Sequence, residues 1–280
     1  MSLTEWLHRN RVARGRFRNN MIPMRRRPVP PLLVWPNFDL SPEDAGTIGR
    51  AYDYWFRVVC ITANRLGTAR FRDFRGYKYF YDEMYPAHRH LTDAVNACMN
   101  AFDKCYDSQK FLDSGLLRNT LVLSFFERAS RTGEPFTEHQ LYIPPAIIDQ
   151  LTDLARASDV SWAAGNIVLN PEFGVVGTRG TLAADGDIIV NGTLYDFKTG
   201  REMRRWETLR QLLGYAVLNS FRPKPYRINS VGYYYVRFDL REELQLSDLC
   251  TLRQFETLQT FVGRTVGKRP RATGFPRHSL

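Results

Sequence analysis

One dipeptide, Asn191-Gly192, constrains the architecture more than any other part of this 280-residue chain. It stands between two β-type runs, Gly186-Asp-Ile-Ile-Val190 and Thr193-Leu-Tyr-Asp-Phe197. A two-residue type I′ turn needs positive φ at both central positions, which Asn and Gly tolerate best. A hairpin with that tip has one register: Val190 faces Thr193, Ile189 faces Leu194, Ile188 faces Tyr195, Asp187 faces Asp196 and Asp185 faces Lys198. Opposed residues share a face of a sheet, as do alternate residues along a strand. The spacing therefore predicts that Asp185, Asp187, Asp196 and Lys198 project together.

Three carboxylates beside one ammonium need an explanation, because like charges opposed on paired strands destabilise them. The flanking Ile188, Ile189, Val190 and Leu194 predict burial, where uncompensated charge costs most. A divalent cation resolves the conflict. Mg²⁺ takes oxygen ligands, usually one or two carboxylates with water and substrate phosphate completing its shell. Asp187 and Asp196 supply that pair, and spacing leaves open whether Asp185 replaces Asp187. The alternative is a solvated Lys–Asp cluster on an exposed hairpin face, where ion pairs are common and weak. The identity of the cation is itself informative, since the chain has 33 arginines and only six lysines. An amine whose pKa shifts is suited to holding and polarising a water, whereas a guanidinium effectively never deprotonates.

Downstream, a helical pattern covers 204–220. Gln211 and Tyr215 lie four apart on one face of it, with Arg204 and Thr208 on the same side toward its start. A glutamine near a tyrosine is by itself an ordinary half-buried packing face. Thirteen residues after an Asp-x-Lys strand end, it is far more specific.

These segments, Ala184-Asp-Gly-Asp-Ile-Ile-Val-Asn-Gly-Thr-Leu-Tyr-Asp-Phe-Lys-Thr-Gly200 and Gln211-Leu-Leu-Gly-Tyr215, resemble the PD-(D/E)XK nuclease superfamily, in particular its RecB-like exonuclease branch. The resemblance is sharp over 170–220 and runs in the order acidic strand, (D/E)-x-K strand, Q-x-x-x-Y helix. It implies an α/β fold with a restriction-endonuclease-like core, a mixed β-sheet flanked by helices. It also implies a divalent-metal-dependent nuclease that hydrolyses DNA phosphodiester bonds in an exonuclease-like manner. Mg²⁺ or Mn²⁺ would be held by Asp187, Asp196 and the Phe197 backbone carbonyl, with Lys198, Gln211 and Tyr215 completing the catalytic set. The pair's acid is Asp196 where many relatives carry glutamate. Upstream, Gly49-Arg-Ala-Tyr-Asp53 is similar to a G-x-x-x-H element, with aspartate where the family places a metal-holding histidine. Asp53 is either an oxygen ligand or the partner of Arg57 one turn on. Glu172 is either the family's upstream acid or a turn residue ahead of the sheet. The alternative function is a catalytically silent nuclease-fold protein that binds nucleic acid or serves as a scaffold, with protein partners in a DNA-processing or defence complex.

Elsewhere, 44% hydrophobic residues suffice for a full core. Ser41-Pro42-Glu43-Asp44 opens a long helix to about residue 66, with serine as N-cap, proline in the first turn and acids at the positive end of the dipole. Further helical patterns cover 88–108, 115–130 and 145–157, and β-type runs cover 175–182, 186–190, 193–197 and 231–238. The organisation read from this is a basic, flexible arm over 1–37, one domain over 38–263 and a basic tail over 264–280. Within the domain, 38–160 is helical, 161–245 is the β-rich catalytic core and 247–263 is a final helix.

The net charge of +10 sits at the ends, with +7 over residues 1–35 and +5 over 264–280. Such arms are either solubilising tails or an electrostatic footprint for nucleic acid, for which Arg25, Arg26, Arg27 and Arg204 are the candidates. The aromatic stretch 71–85, interleaved with Arg72, Arg75 and Lys78, reads as core or as a stacking surface for unpaired bases. Cys60, Cys98, Cys105 and Cys250 show no paired spacing, which argues against a zinc or iron–sulfur site and for reduced thiols. No apolar run is long enough for a membrane span, and the Arg-rich opening fits a cytoplasmic protein or a mitochondrial address.

Overall fold

The computed structural model describes residues 1–24, 28–37, 39–85, 88–133 and 136–269. In chain order the elements are α1 (Leu3–Arg9), α2 (Arg11–Asn19), α3 (Pro42–Ala63), α4 (Arg75–Tyr79), α5 (Thr92–Ser108), α6 (Ser114–Thr132) and α7 (Pro145–Ala157). There follow β1 (Ile167–Leu169), β2 (Glu172–Gly177), β3 (Gly180–Asp185), β4 (Ile188–Val190), β5 (Thr193–Lys198), α8 (Arg205–Asn219), β6 (Ser230–Tyr235), β7 (Leu240–Gln245), α9 (Leu246–Leu249) and α10 (Leu252–Val266). The protein is thus α/β, with a mainly helical N-terminal half.

Five strands form a mixed sheet in the order β1-β4-β5-β6-β7. Only β5 and β6 run parallel, and parallel neighbours need a crossover, which α8 supplies. Strands β2 and β3 make a separate antiparallel hairpin. Residues of the sheet alternate between two cores. Ile188, Val190, Tyr195 and Tyr234 join the core built with α3, α5, α6 and α7. Ile189, Leu194, Val231, Tyr233 and Tyr235 join the core built with α8 and α10. A strand period of two applied to strands apolar on both sides gives this division.

Ser41 caps α3 as its sequence indicates: its hydroxyl accepts from the Asp44 amide at 3.1 Å, and the Asp44 carboxylate accepts from the Ser41 amide at 3.1 Å. The hairpin tip also matches expectation. Asn191 and Gly192 have φ of 50° and 84°, and Val190, Ile189 and Ile188 face Thr193, Leu194 and Tyr195.

Other expectations are corrected. The arm over 1–37 contains two helices rather than starting the structure near Ser41. Leu3, Trp6, Leu7, Ala13 and Phe17 are buried, an apolar stripe at helical spacing that the surrounding arginines conceal. The run 175–182 is not one strand, because Gly177 and Gly180 flank a turn that divides it into β2 and β3. The run 231–238 leaves the sheet at Tyr235 and tightens into a 3-10 turn, Val236–Phe238. The strand β7, whose residues alternate between half-buried and exposed, escaped notice because it reads as charged: Leu-Arg-Glu-Glu-Leu-Gln. The last helix extends to Val266, so the tail's first residues belong to the fold. Arg25, Arg26, Arg27 and most of the tail lie outside the described residues. Among the described residues no helix is long and apolar enough to cross a membrane.

Candidate active site

The hairpin's register does not continue past Ile188. Asp185 ends β3, in the other sheet, and pairs with Glu172 rather than with Lys198, while Asp187 sits in the short link before β4. Asp185, Asp187, Asp196 and Lys198 nevertheless line one cavity of about 340 Å³ at the end of β5. The link bends the chain so that Asp187 turns toward β5, where its Oδ2 accepts the Phe197 amide at 2.6 Å. Helix α3 reaches the same cavity through a close approach, since a Cβ on Gly49 would lie 2.9 Å from Thr199 Oγ1.

Asp196 is 5% exposed. Its Oδ1 accepts from Gln211 Nε2 at 3.3 Å, and its Oδ2 lies 2.5 Å from Lys198 Nζ. That Oδ2 takes no properly directed hydrogen bond among the described residues. Gln211 Nε2 also donates to the Tyr215 hydroxyl, and Gln211 Oε1 receives a long bond of 3.4 Å from Lys198. Tyr215, hydrogen-bonded in addition to Thr4 of α1, stacks on Phe173 at 5.5 Å. The four residues Asp196, Lys198, Gln211 and Tyr215 therefore form one connected group, held between β5 and α8.

The opposite wall comes from α3 and α6. Arg57 grips Asp53 with both Nε and a terminal nitrogen, so the pairing alternative for Asp53 is realised, and Asp53 still borders the cavity. Glu127 on α6 is buried and accepts from Arg131 at 2.7 Å. Arg50 gives one nitrogen to Thr47 Oγ1 at 3.1 Å, while its buried Nε has no hydrogen-bond partner among the described residues.

The electrostatics follow from this crowding. Burial pushes the Asp187 carboxyl well above the usual range, and the neighbouring Asp53 and Asp196 push it further. Burial likewise raises Asp53 to about 6, against the pull of Arg57. For Lys198, burial disfavours the charged form, but Asp196 and then Asp187 outweigh it and the pKa rises. Lys198 is therefore held as an ammonium. Burial also opposes the Glu127 charge, but Arg131 and a hydrogen bond from Tyr54 outweigh it and hold this carboxyl low.

Asp187, whose proton affinity is raised by burial and then by Asp53 and Asp196, lines the same cavity as the buried Asp196, and two carboxylates so placed suit a divalent cation. Among the described residues no three histidine, cysteine or acidic side chains converge as a ready-made cage. A cation here would rest on Asp187 and Asp196, with backbone oxygen, water or phosphate supplying the remainder.

Three further residues stand apart from the site. Glu172 is exposed and borders a different cavity. Arg204 is exposed and pairs with Glu202 at 2.7 Å and Glu207 at 3.8 Å. Thr208, expected beside Gln211, is buried against the Tyr235 hydroxyl at 3.0 Å. The aromatic stretch divides, with Phe71, Phe74 and Phe80 in the core and Tyr77, Tyr81 and Tyr85 half-buried above it. The four cysteines are buried and unbridged, three in one core and Cys250 in the other. Sequence reasoning missed Glu127, Arg131 and Arg50. The available signal for Glu127 was a single acid within the apolar helix Leu121-Val-Leu-Ser-Phe-Phe-Glu127. No family model, no curated protein and no solved structure matches the chain.

Proposed function

We propose that this protein is a divalent-metal-dependent nuclease of the PD-(D/E)XK type with a restriction-endonuclease-like core, hydrolysing DNA phosphodiester bonds. The observation that carries the reading is the convergence of Asp187, Asp196 and Lys198, with Gln211 and Tyr215, on one cavity. Asp187 and Asp196 would hold Mg²⁺ or Mn²⁺ with the Phe197 carbonyl, and Asp185 and Asp53 line the same cavity. When bound, the ion would lower the pKa of a coordinated water and neutralise charge on the phosphate. Lys198, as an ammonium, orients the attacking water and stabilises charge on the non-bridging phosphate oxygens. In the hydrolysis a water oxygen bonds to phosphorus, the bond to one ester oxygen breaks and that oxygen leaves with a proton. Gln211 fixes Asp196 and Lys198 relative to each other, and Tyr215 fixes Gln211. Arg50, on the opposite wall, lines the same cavity.

The testing experiment incubates the protein with end-labelled linear and closed circular DNA, each with Mg²⁺, Mn²⁺ or chelator. Loss of linear DNA that chelator abolishes is the expected result. Retention of DNA with no cleavage under any metal would favour the second reading, a silent nuclease-fold binding protein. That reading draws on one observation: Asp53, standing where the resemblance places a metal-holding histidine, is already engaged by Arg57.

A further inference from the structure

The helices α1 and α2 give residues 3–19 of the basic arm a fixed position. Helix α1 lies on α8, with Leu3 fully buried over Gly214 and Thr4 bonded to Tyr215. Helix α2 follows with Phe17 buried and Arg14 and Arg18 exposed, four residues apart and so on one face. These two arginines meet Arg210 of α8. A cavity of about 420 Å³ is lined by Arg18, Met21, Pro23, Trp206 and Arg210. A smaller one of about 130 Å³ is lined by Arg14, His8, Arg210, Gln211 and Glu207. Arg210 borders both, and Gln211 borders the smaller one and the candidate active site. The three hollows are thus neighbours, each next to the following one across a shared side chain.

Three guanidiniums gathered with one nearby acid repel one another, and Glu207 is itself shared with Arg204 at 3.8 Å. Burial lowers the Arg210 pKa, and Arg14 and Arg18 lower it further even though Glu207 opposes them. An arrangement that is unfavourable alone is relieved by a polyanion lying along it. Trp206, 42% exposed beside the arginines, offers a flat face for a base or sugar. We propose that Arg14, Arg18 and Arg210 form a phosphate-binding track that leads a nucleic-acid strand past Gln211 into the cavity of Asp187, Asp196 and Lys198. The inference rests on the nuclease reading for the choice of nucleic acid over other polyanions.

The test measures binding of dye-labelled DNA by the full chain in chelator across a salt series, then cleavage kinetics with metal. The variant Arg14→Gln/Arg18→Gln/Arg210→Gln is compared with Arg9→Gln/Arg16→Gln/Arg179→Gln, equal in charge removed but outside these three cavities. Thermal melts by circular dichroism establish that both fold. Loss of three phosphate contacts is expected to make the slope of log K against log salt shallower by about 2 to 3. KM should rise about tenfold or more with kcat nearly unchanged, and the control set should show much smaller effects. An equal loss in the control set would overturn the track in favour of diffuse charge. Metal-dependent cleavage with unaltered KM in the first variant would overturn it while leaving the nuclease reading intact. Arginine-dependent DNA binding without cleavage under any metal would support the track while removing the nuclease reading. Capture by anionic phospholipid vesicles, with no retention of DNA, would overturn it in favour of a lipid surface.

Discussion

Lys198 is the residue on which the chemistry turns, and its neighbours decide what it does. With Asp196 at 2.5 Å and Asp187 nearby it stays charged, so its contribution is a fixed positive charge and a directed donor rather than a base. Lys198→Ala is expected to lower kcat by about 10²-fold or more while leaving DNA affinity in chelator within a small factor. Wild-type turnover in that variant would remove Lys198 from the mechanism. Asp53 makes a separate statement about pH. Because burial raises its folded pKa to about 6, the folded protein binds this proton more tightly than the unfolded chain does. Without added metal, its contribution makes stability fall as pH rises from about 4 to about 6, and is level above that. Asp53→Asn removes this decline, which amounts to at most about 3 kcal/mol. Urea unfolding across that window should show the wild type losing ground to the variant as pH rises, and a constant difference would refute the assignment.

At the scale of elements, the N-terminal helices are structural. Phe17 is fully buried against the core that supports α8, so Phe17→Ala should cost about 3–5 kcal/mol in chemical denaturation. A cost below about 0.5 kcal/mol would restore the picture of a loose arm. This is also where sequence reading had its clearest limit. The turn Asn191-Gly192 and the cap at Ser41 were legible because each depends on local backbone chemistry. So was the set Asp196, Lys198, Gln211 and Tyr215, since strand and helix periods bring those residues to one place, whereas Asp187 arrives there by the bend of its link and not by the expected hairpin register. The pairing of Asp185 with Glu172 instead of Lys198 depends on a bend between β3 and β4 that no local rule records. The helices α1 and α2 were hidden because arginine content was read as disorder while a five-residue apolar stripe ran through it. Glu127 and Arg131 reach the site only through the packing of α6 on α3, which periodicity cannot assign.

The whole molecule places a mixed sheet between two cores and opens the cavity of Asp187, Asp196 and Lys198 where β5 ends between α3, α6 and α8. Each layer contributes one wall, so neither half of the chain holds the site alone. Asp187 and Asp196 are the groups both walls converge on, and the crowding that raises the proton affinity of Asp187, burial first and then Asp53 and Asp196, is the electrostatic state that a shared cation would relieve. The direct measurement is a calorimetric titration of Mn²⁺ into the wild type, Asp187→Asn and Asp196→Asn at neutral pH. A shared site requires a binding event in the wild type that either substitution abolishes. No binding in the wild type, or binding that survives both substitutions unchanged, would contradict the claim that these two carboxylates hold a metal ion together.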